Sequence, residues 1–132
     1  MRVLIVGEES RPHPLVGALE AAGADVARPQ ENDFDAAPGD QVGELAAALI
    51  AFERLLADEP PDAVLLVSTT NLALAAVLVA AKLQIPVAAH VKAAPDDGAS
   101  ELNARLIERL ADATVGDDAA RIDAALRDLI AA

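Results

Sequence analysis

The chain has no Cys, no Trp and no Tyr, and only two Phe, at positions 34 and 52. Without Cys there can be no disulfide, no thiolate metal ligand and no Cys nucleophile. With so few aromatic rings, stacking platforms for bases or sugars are nearly unavailable. Basic residues are also scarce. Ten Lys and Arg face 22 Asp and Glu, a formal net charge of −12. Nucleic acids and anionic membranes both select a basic footprint, so neither is expected as a partner.

A long uninterrupted apolar run is lacking as well. Between Ala63 and Val91 the only fixed charge is Lys82. Yet Ser68-Thr69-Thr70-Asn71 breaks that stretch early and Pro86 breaks it late. A spanning helix needs about 20 apolar residues in succession. The stretch therefore reads as strand, helix, strand. The apolar part of Met1 to Gly7 is too short for a secretory signal and reads as a first strand. A cytoplasmic protein is expected.

What is present is a hydrophobic fraction of 54% in 132 residues, enough for one domain, residues 1–132, with its own core. Short continuous apolar runs alternate with helical periodicity, as in a parallel sheet buried on both faces. Val3 to Val6 is the first run. Pro14 suits the first turn of a helix with Leu15 and Leu19 inward and Gly23 at its end. Asp25 to Ala27 is a short strand, and Arg28 to Asp40 reads as loop. Val42, Leu45, Leu49, Phe52 and Leu56 form one apolar stripe, ended by Pro60-Pro61. Ala63 to Val67 is the third strand. Thr69, Thr70 or Asn71 caps a helix running to about Leu83. Val87 to His90 is the fourth strand, followed by a loop from Ala93 to Gly98. Ser100 is expected to cap a helix with Leu102, Leu106 and Leu110 inward. Ala113 to Val115 is a fifth strand. Asp117 or Asp118 caps a last helix with Ile122, Leu126, Leu129 and Ile130 inward. The predicted fold is a three-layer α/β/α, Rossmann-like, flavodoxin-sized domain with five parallel strands.

In such sheets a ligand sits beyond the carboxyl ends of the strands. That places Gly7 to Arg11, Ser68 to Asn71 and His90 to Lys92 at the crevice. Ser68-Thr69-Thr70-Asn71 leads into a helix N-terminus, which suits an anion; the same residues are also ordinary caps. Gly7 with Arg11 could hold a diphosphate, but Gly7-Glu8-Glu9-Ser10 is neither G-x-G-x-x-G nor a P-loop. His90 ends a strand where a general base could sit, and can equally be a packed side chain. It has no second His at metal-ligand spacing, so no metal and no cofactor are expected. Lys92 is an anion ligand or the first solvated loop residue. A phospho-receiver is excluded, because Val67-Ser68-Thr69 holds the position of its acceptor Asp and Asp62 lies at the wrong end.

Several segments carry a resemblance. They are Pro61-Asp62-Ala63-Val64-Leu65-Leu66-Val67, Leu83-Gln84-Ile85-Pro86-Val87, Ala89-His90-Val91, and Glu101 to Asp112. They resemble the non-hydrolysing UDP-N-acetylglucosamine 2-epimerases, which read PDxVLVxGDT, IPVxHVEAGLR and PEExNRxLIDxLAD. The spacing from Pro61 to Pro86 matches without a gap. Pro38 to Leu56 resembles the amphipathic helix that precedes the PD strand, and Ser10-Arg11-Pro12 a shortened TRPE loop. The resemblance covers most of this chain but only the N-terminal domain of a two-domain GT-B enzyme.

That family inverts C2 of the sugar by eliminating and re-adding UDP, which needs a base, an acid and a clamp for the diphosphate. Here the matching positions depart. Thr69 stands for the Asp of GD, Lys92 for the Glu of HVE, Ser100 for the first Glu of PEE, and His13 for the Glu of TRPE. Glu101 and Asn103 remain. The resemblance with these substitutions implies no epimerase of the usual mechanism and no catalytic residues. It implies a homodimeric interaction or scaffold protein, since the family pairs subunits through this domain. The helix Leu72 to Leu83, apolar nearly all round, points the same way. A second expectation is a module binding a sugar nucleotide or other anion through Arg11, Ser68, Thr69, Asn71, His90, Lys92, Glu101 and Asn103. A third is a half-enzyme completed by a separate chain.

Overall fold

The computed structural model describes residues 1–7, 14–29, 41–90 and 98–132. In chain order the elements are β1 (Arg2–Val6), α1 (Leu15–Ala21), β2 (Asp25–Ala27), α2 (Gln41–Asp58), β3 (Ala63–Leu66), α3 (Asn71–Lys82), β4 (Val87–Ala89), α4 (Gly98–Leu110), β5 (Ala113–Thr114) and α5 (Ala119–Ala131). Every pairing is parallel and the strand order is β2-β1-β3-β4-β5. The sequence expectation of a five-stranded Rossmann-like α/β sheet is met. The chain direction across the sheet reverses between β1 and β3, which opens a crevice at their carboxyl ends.

Alternation along the strands divides the core in two. Leu4, Val6, Val64, Leu66, Val87 and Ala89 face Phe52 and Leu56 of α2, the length of α3, and Ile107 of α4. Val3, Ile5, Ala63, Leu65 and Ala88 face Leu15 and Leu19 of α1 and Ile122 and Leu126 of α5. All four residues of β3 are fully buried, as a central parallel strand requires.

Helix α3 is apolar nearly all round, and its surroundings are within this chain. It lies on the sheet between α2 and α4. Leu72 to Val77, Val79 and Ala80 are all buried. The alanines let α2 come close on one side. Its burial therefore does not of itself call for a second copy.

Two polar anchors close the amino ends of the strands. Asp62 Oδ2 accepts from the Arg2 main-chain N–H at 2.8 Å. Asp112 Oδ2 accepts from the Val87 N–H at 2.8 Å. Asp62 is thus a strand tie at the end opposite the crevice. After α3 the chain turns with Gln84 at φ 60°. There Ile85 N–H donates to Ala80 O at 2.9 Å, a closing bond that normally favours Gly at the turn.

Three expectations are corrected. On α4 the leucines do not face the core: Leu102, Leu106 and Leu110 are 52%, 39% and 37% exposed. The buried residues are Ser100, Asn103, Ala104 and Ile107. Spacings of three and four describe that second stripe as well, and it wins because its polar members reach partners on the loop before α3. Ser100 is not a cap but the third residue of α4, which begins at Gly98. On α2, Val42 is exposed in the first turn, and the buried stripe is Ala48, Phe52 and Leu56, with Leu45 and Leu49 at its margin. Among the described residues no helix is long and apolar enough to cross a membrane.

Candidate functional site

The crevice end of the sheet is built by the turn after β3. That strand ends at Leu66, and Val67, Ser68 and Thr69 lead to Thr70, the N-cap of α3. Thr70 has an extended backbone, and its hydroxyl accepts from the Ala73 N–H at 3.3 Å. Ser68 Oγ and Thr70 Oγ1 share a hydrogen bond of 3.0 Å. The capping reading of this segment is therefore realised by Thr70.

Gly7 permits the turn to lie close to β1. A Cβ there would stand 2.8 Å from Val67 Cγ2, well inside contact distance. Val67 N–H donates to Val6 O at 3.0 Å, which holds the two segments side by side.

The first turn of α4 packs onto this loop. The hydroxyls of Thr69 and Ser100 are hydrogen-bonded to each other, and both residues are buried. Asn103 Nδ2 donates to the Thr69 main-chain carbonyl at 3.0 Å and to Asn71 Oδ1 at 3.0 Å. Asn71 Nδ2 in turn donates to Gln41 Oε1 at 2.7 Å, at the start of α2. One network thus ties the N-termini of α2, α3 and α4. Its members are amides and hydroxyls, and none of them carries charge or exchanges protons readily near neutral pH.

His90 follows β4, with its N–H donating to Leu66 O at 2.8 Å. Its ring is largely buried. Nδ1 lies 3.1 Å from Val115 O, and Nε2 lies 3.1 Å from Asp117 Oδ1. Both facing atoms are acceptors. A neutral ring carries one N–H and serves one of them; a ring with both protons serves both. Each nitrogen already has a protein neighbour, so His90 works here as a clamp between β4 and the segment after β5.

Of the candidate residues, Thr69, Asn71 and Asn103 are brought together, with Ser68 beside them. His90 stands apart, held to the β5 side. Glu101 points to solvent, with its carboxylate 3.9 Å from Arg105. Arg11 and Lys92 lie outside the described residues. Sequence reasoning did not count Ser100, Gln41 or Asp117 among the site residues. The signal for Ser100 was its position in the PEE-like motif. Gln41 and Asp117 gave none, since both act through partners 30 and 27 residues away. Among the described residues no group of three His, Asp or Glu is placed to hold a metal ion.

Comparison with known proteins bears on this geometry. The sequence profile of the family described as UDP-N-acetylglucosamine 2-epimerase matches residues 15–125. Among curated proteins none matches the sequence significantly. The fold is similar to the UDP-GlcNAc 2-epimerase of Methanocaldococcus jannaschii, with a TM-score of 0.71 and 25% identity over 97% of this chain. It is also similar to the enzyme of Rickettsia bellii, with a TM-score of 0.70 and 16% identity over 98% of this chain. A third similar structure is the Neisseria meningitidis enzyme bound to UDP-GlcNAc, with a TM-score of 0.71 and 18% identity over 95% of this chain. At the two lower identities the likeness is one of fold. The chain spans only 42%, 42% and 43% of those three chains.

Proposed function

Since this chain belongs to the UDP-N-acetylglucosamine 2-epimerase family, we propose that it is a non-catalytic member, acting as a homodimeric interaction or scaffold domain in the cytoplasm. The observation that carries this reading is the contact between Thr69 and Ser100. Both stand where the family resemblance expects carboxylates. Here they are buried hydroxyls bonded to each other and backed by Asn103.

Inverting C2 of a sugar requires removal of a carbon-bound proton and its return on the other face. That needs groups that change protonation near neutral pH and can reach the substrate. A hydroxyl without an adjacent base does not do so, and here the two hydroxyls bond each other while the Asn103 amide holds the Thr69 carbonyl. His90 has acceptors at both ring nitrogens.

The homodimer is supported by the face of α4 that carries Leu102, Leu106 and Leu110. Three leucines one turn apart, set among Glu101, Arg105, Glu108 and Arg109 on the exposed face, form a ridge suited to a second copy of itself. Leu83, just after α3, is exposed as well.

The direct test is exchange at C2. UDP-GlcNAc is incubated with the protein in heavy water and followed by proton NMR. The expected result is no deuterium at C2 after many hours at high protein concentration. Incorporation above the protein-free control would overturn the non-catalytic reading. The same sample titrated with UDP-GlcNAc separates the second reading, a sugar-nucleotide-binding module: saturable chemical-shift changes without exchange would favour it over a scaffold. Co-purification with a separate chain that restores exchange would favour the half-enzyme.

A further inference from the structure

Among the described residues β2 is an edge strand of the sheet, at the opposite side from β5. Helix α2 leans on α3, over the centre of the sheet, and leaves a trough between itself and that edge. A cavity of about 990 Å³ opens there. It is distinct from the crevice, whose polar residues do not line it.

The trough is apolar along its floor and charged at its walls, where Asp58 and Glu59 line it together with Arg2, Arg28 and Arg54. Leu4 and Ala27 of the strands and Ile50 and Ala51 of the helix make an apolar floor. Ile50 is among the exposed large hydrophobic residues of the chain. Two guanidinium groups come from opposite walls, Arg28 just after β2 and Arg54 from α2. Among the described residues neither has an ion-pair partner. Arg54 stands one helical turn from Asp58 and still forms no pair with it. In a chain with 22 acids and 10 bases, two unpaired arginines facing one trough are not explained by a shortage of carboxylates. A third, Arg2 at the far end, is taken up by Glu59 at 2.9 Å.

We propose that this trough binds a single-chain amphipathic anion, an alkyl chain carrying one carboxylate or phosphate. The chain lies on the apolar floor and the head meets Arg28 and Arg54. Other occupants fit worse. A peptide added to the edge would find only three strand residues, an Asp at their start and Pro29 just beyond, all features that discourage strand addition. A nucleotide base would find no aromatic ring among the lining residues. An inorganic anion would leave the floor unused. From Ala47 to Asp58 the helical wall is about 16 Å long at 1.5 Å per residue, room for an extended chain of about a dozen carbons.

The test is calorimetric titration of the whole chain with dodecanoate and with dodecyl phosphate, each below its aggregation concentration. Acetate and inorganic phosphate serve as the heads alone. One saturable site is expected for the long-chain ligands, with affinity at least tenfold above the bare heads. The tighter of the two long-chain ligands identifies the head. Affinity should fall about tenfold or more in Arg28→Gln/Arg54→Gln, and likewise in Ile50→Asp. All three positions are exposed, and unchanged melting temperatures verify that the variants fold. Absence of saturable binding overturns the proposal. So does binding that neither variant weakens, or inorganic phosphate binding as tightly as dodecyl phosphate. None of these outcomes bears on C2 exchange, so the two readings stand or fall separately.

Discussion

Asn103 on α4 donates a hydrogen bond to the main-chain carbonyl of Thr69, 34 residues earlier, at 3.0 Å. This bond fixes how α4 is turned about its own axis. It brings Ser100 against Thr69 and sends the leucine ridge outward.

Replacing Asn103 with Leu should therefore cost about 1–3 kcal/mol, because the Thr69 carbonyl and Asn71 Oδ1 lose their donor in a buried place. Asn103→Asp should cost at least as much, since it sets an acceptor against two acceptors. Urea unfolding measures both. An unchanged midpoint for either would show that the network is incidental.

Gly7→Ala is expected to destabilise by about 1–3 kcal/mol, as small-to-large changes in packed places do. The added Cβ meets Val67 Cγ2 at 2.8 Å, and the β-branched valine has little rotamer freedom to move away. Val67→Ala in the same chain should recover part of that loss. A double-mutant cycle without coupling between positions 7 and 67 would contradict the contact.

Gln84 closes α3 in the left-handed region at φ 60°. There a Cβ is unfavourable and Gly is not, so Gln84→Gly should raise stability by about 0.5–1 kcal/mol. Thermal melting reads this directly. A lower melting temperature would mean the glutamine side chain makes a compensating contact.

Leu106→Glu addresses the ridge on α4. Leu106 is exposed in the single chain, so the folded monomer should change by no more than about 0.5 kcal/mol. Sedimentation at increasing concentration should show the unaltered protein as a dimer and the variant as a monomer. A wild-type monomer at tens of micromolar, or a variant that still dimerises, would remove the ridge as the interface.

The inner strands were legible in the sequence because Val3–Val6, Ala63–Leu66 and Val87–Ala89 are uninterrupted apolar runs, and in a sheet covered on both faces such a run has one reading. Thr70 and Asp118 were legible as caps because capping is local: each accepts from N–H groups two or three residues ahead. The crevice segment after β3 followed from topology alone. The rotation of α4 did not. Leu102, Leu106 and Leu110 repeat every four residues, whereas Ser100, Asn103, Ala104 and Ile107 repeat at three and four. Hydrophobicity favours the first stripe. Only the position of Thr69 and Asn71 across the crevice favours the second.

By itself the sequence determined the layer order, the parallel sheet, and the presence of hydroxyls at Thr69 and Ser100, because these depend on residue type and on patterns a few residues long. The tertiary structure decided that those two hydroxyls bond each other and that α3 is covered by its own chain. It also decided that Arg28 and Arg54 look into one trough beside β2. These are meetings of residues 26 and 31 positions apart or of whole elements, and no local periodicity records where such partners will lie.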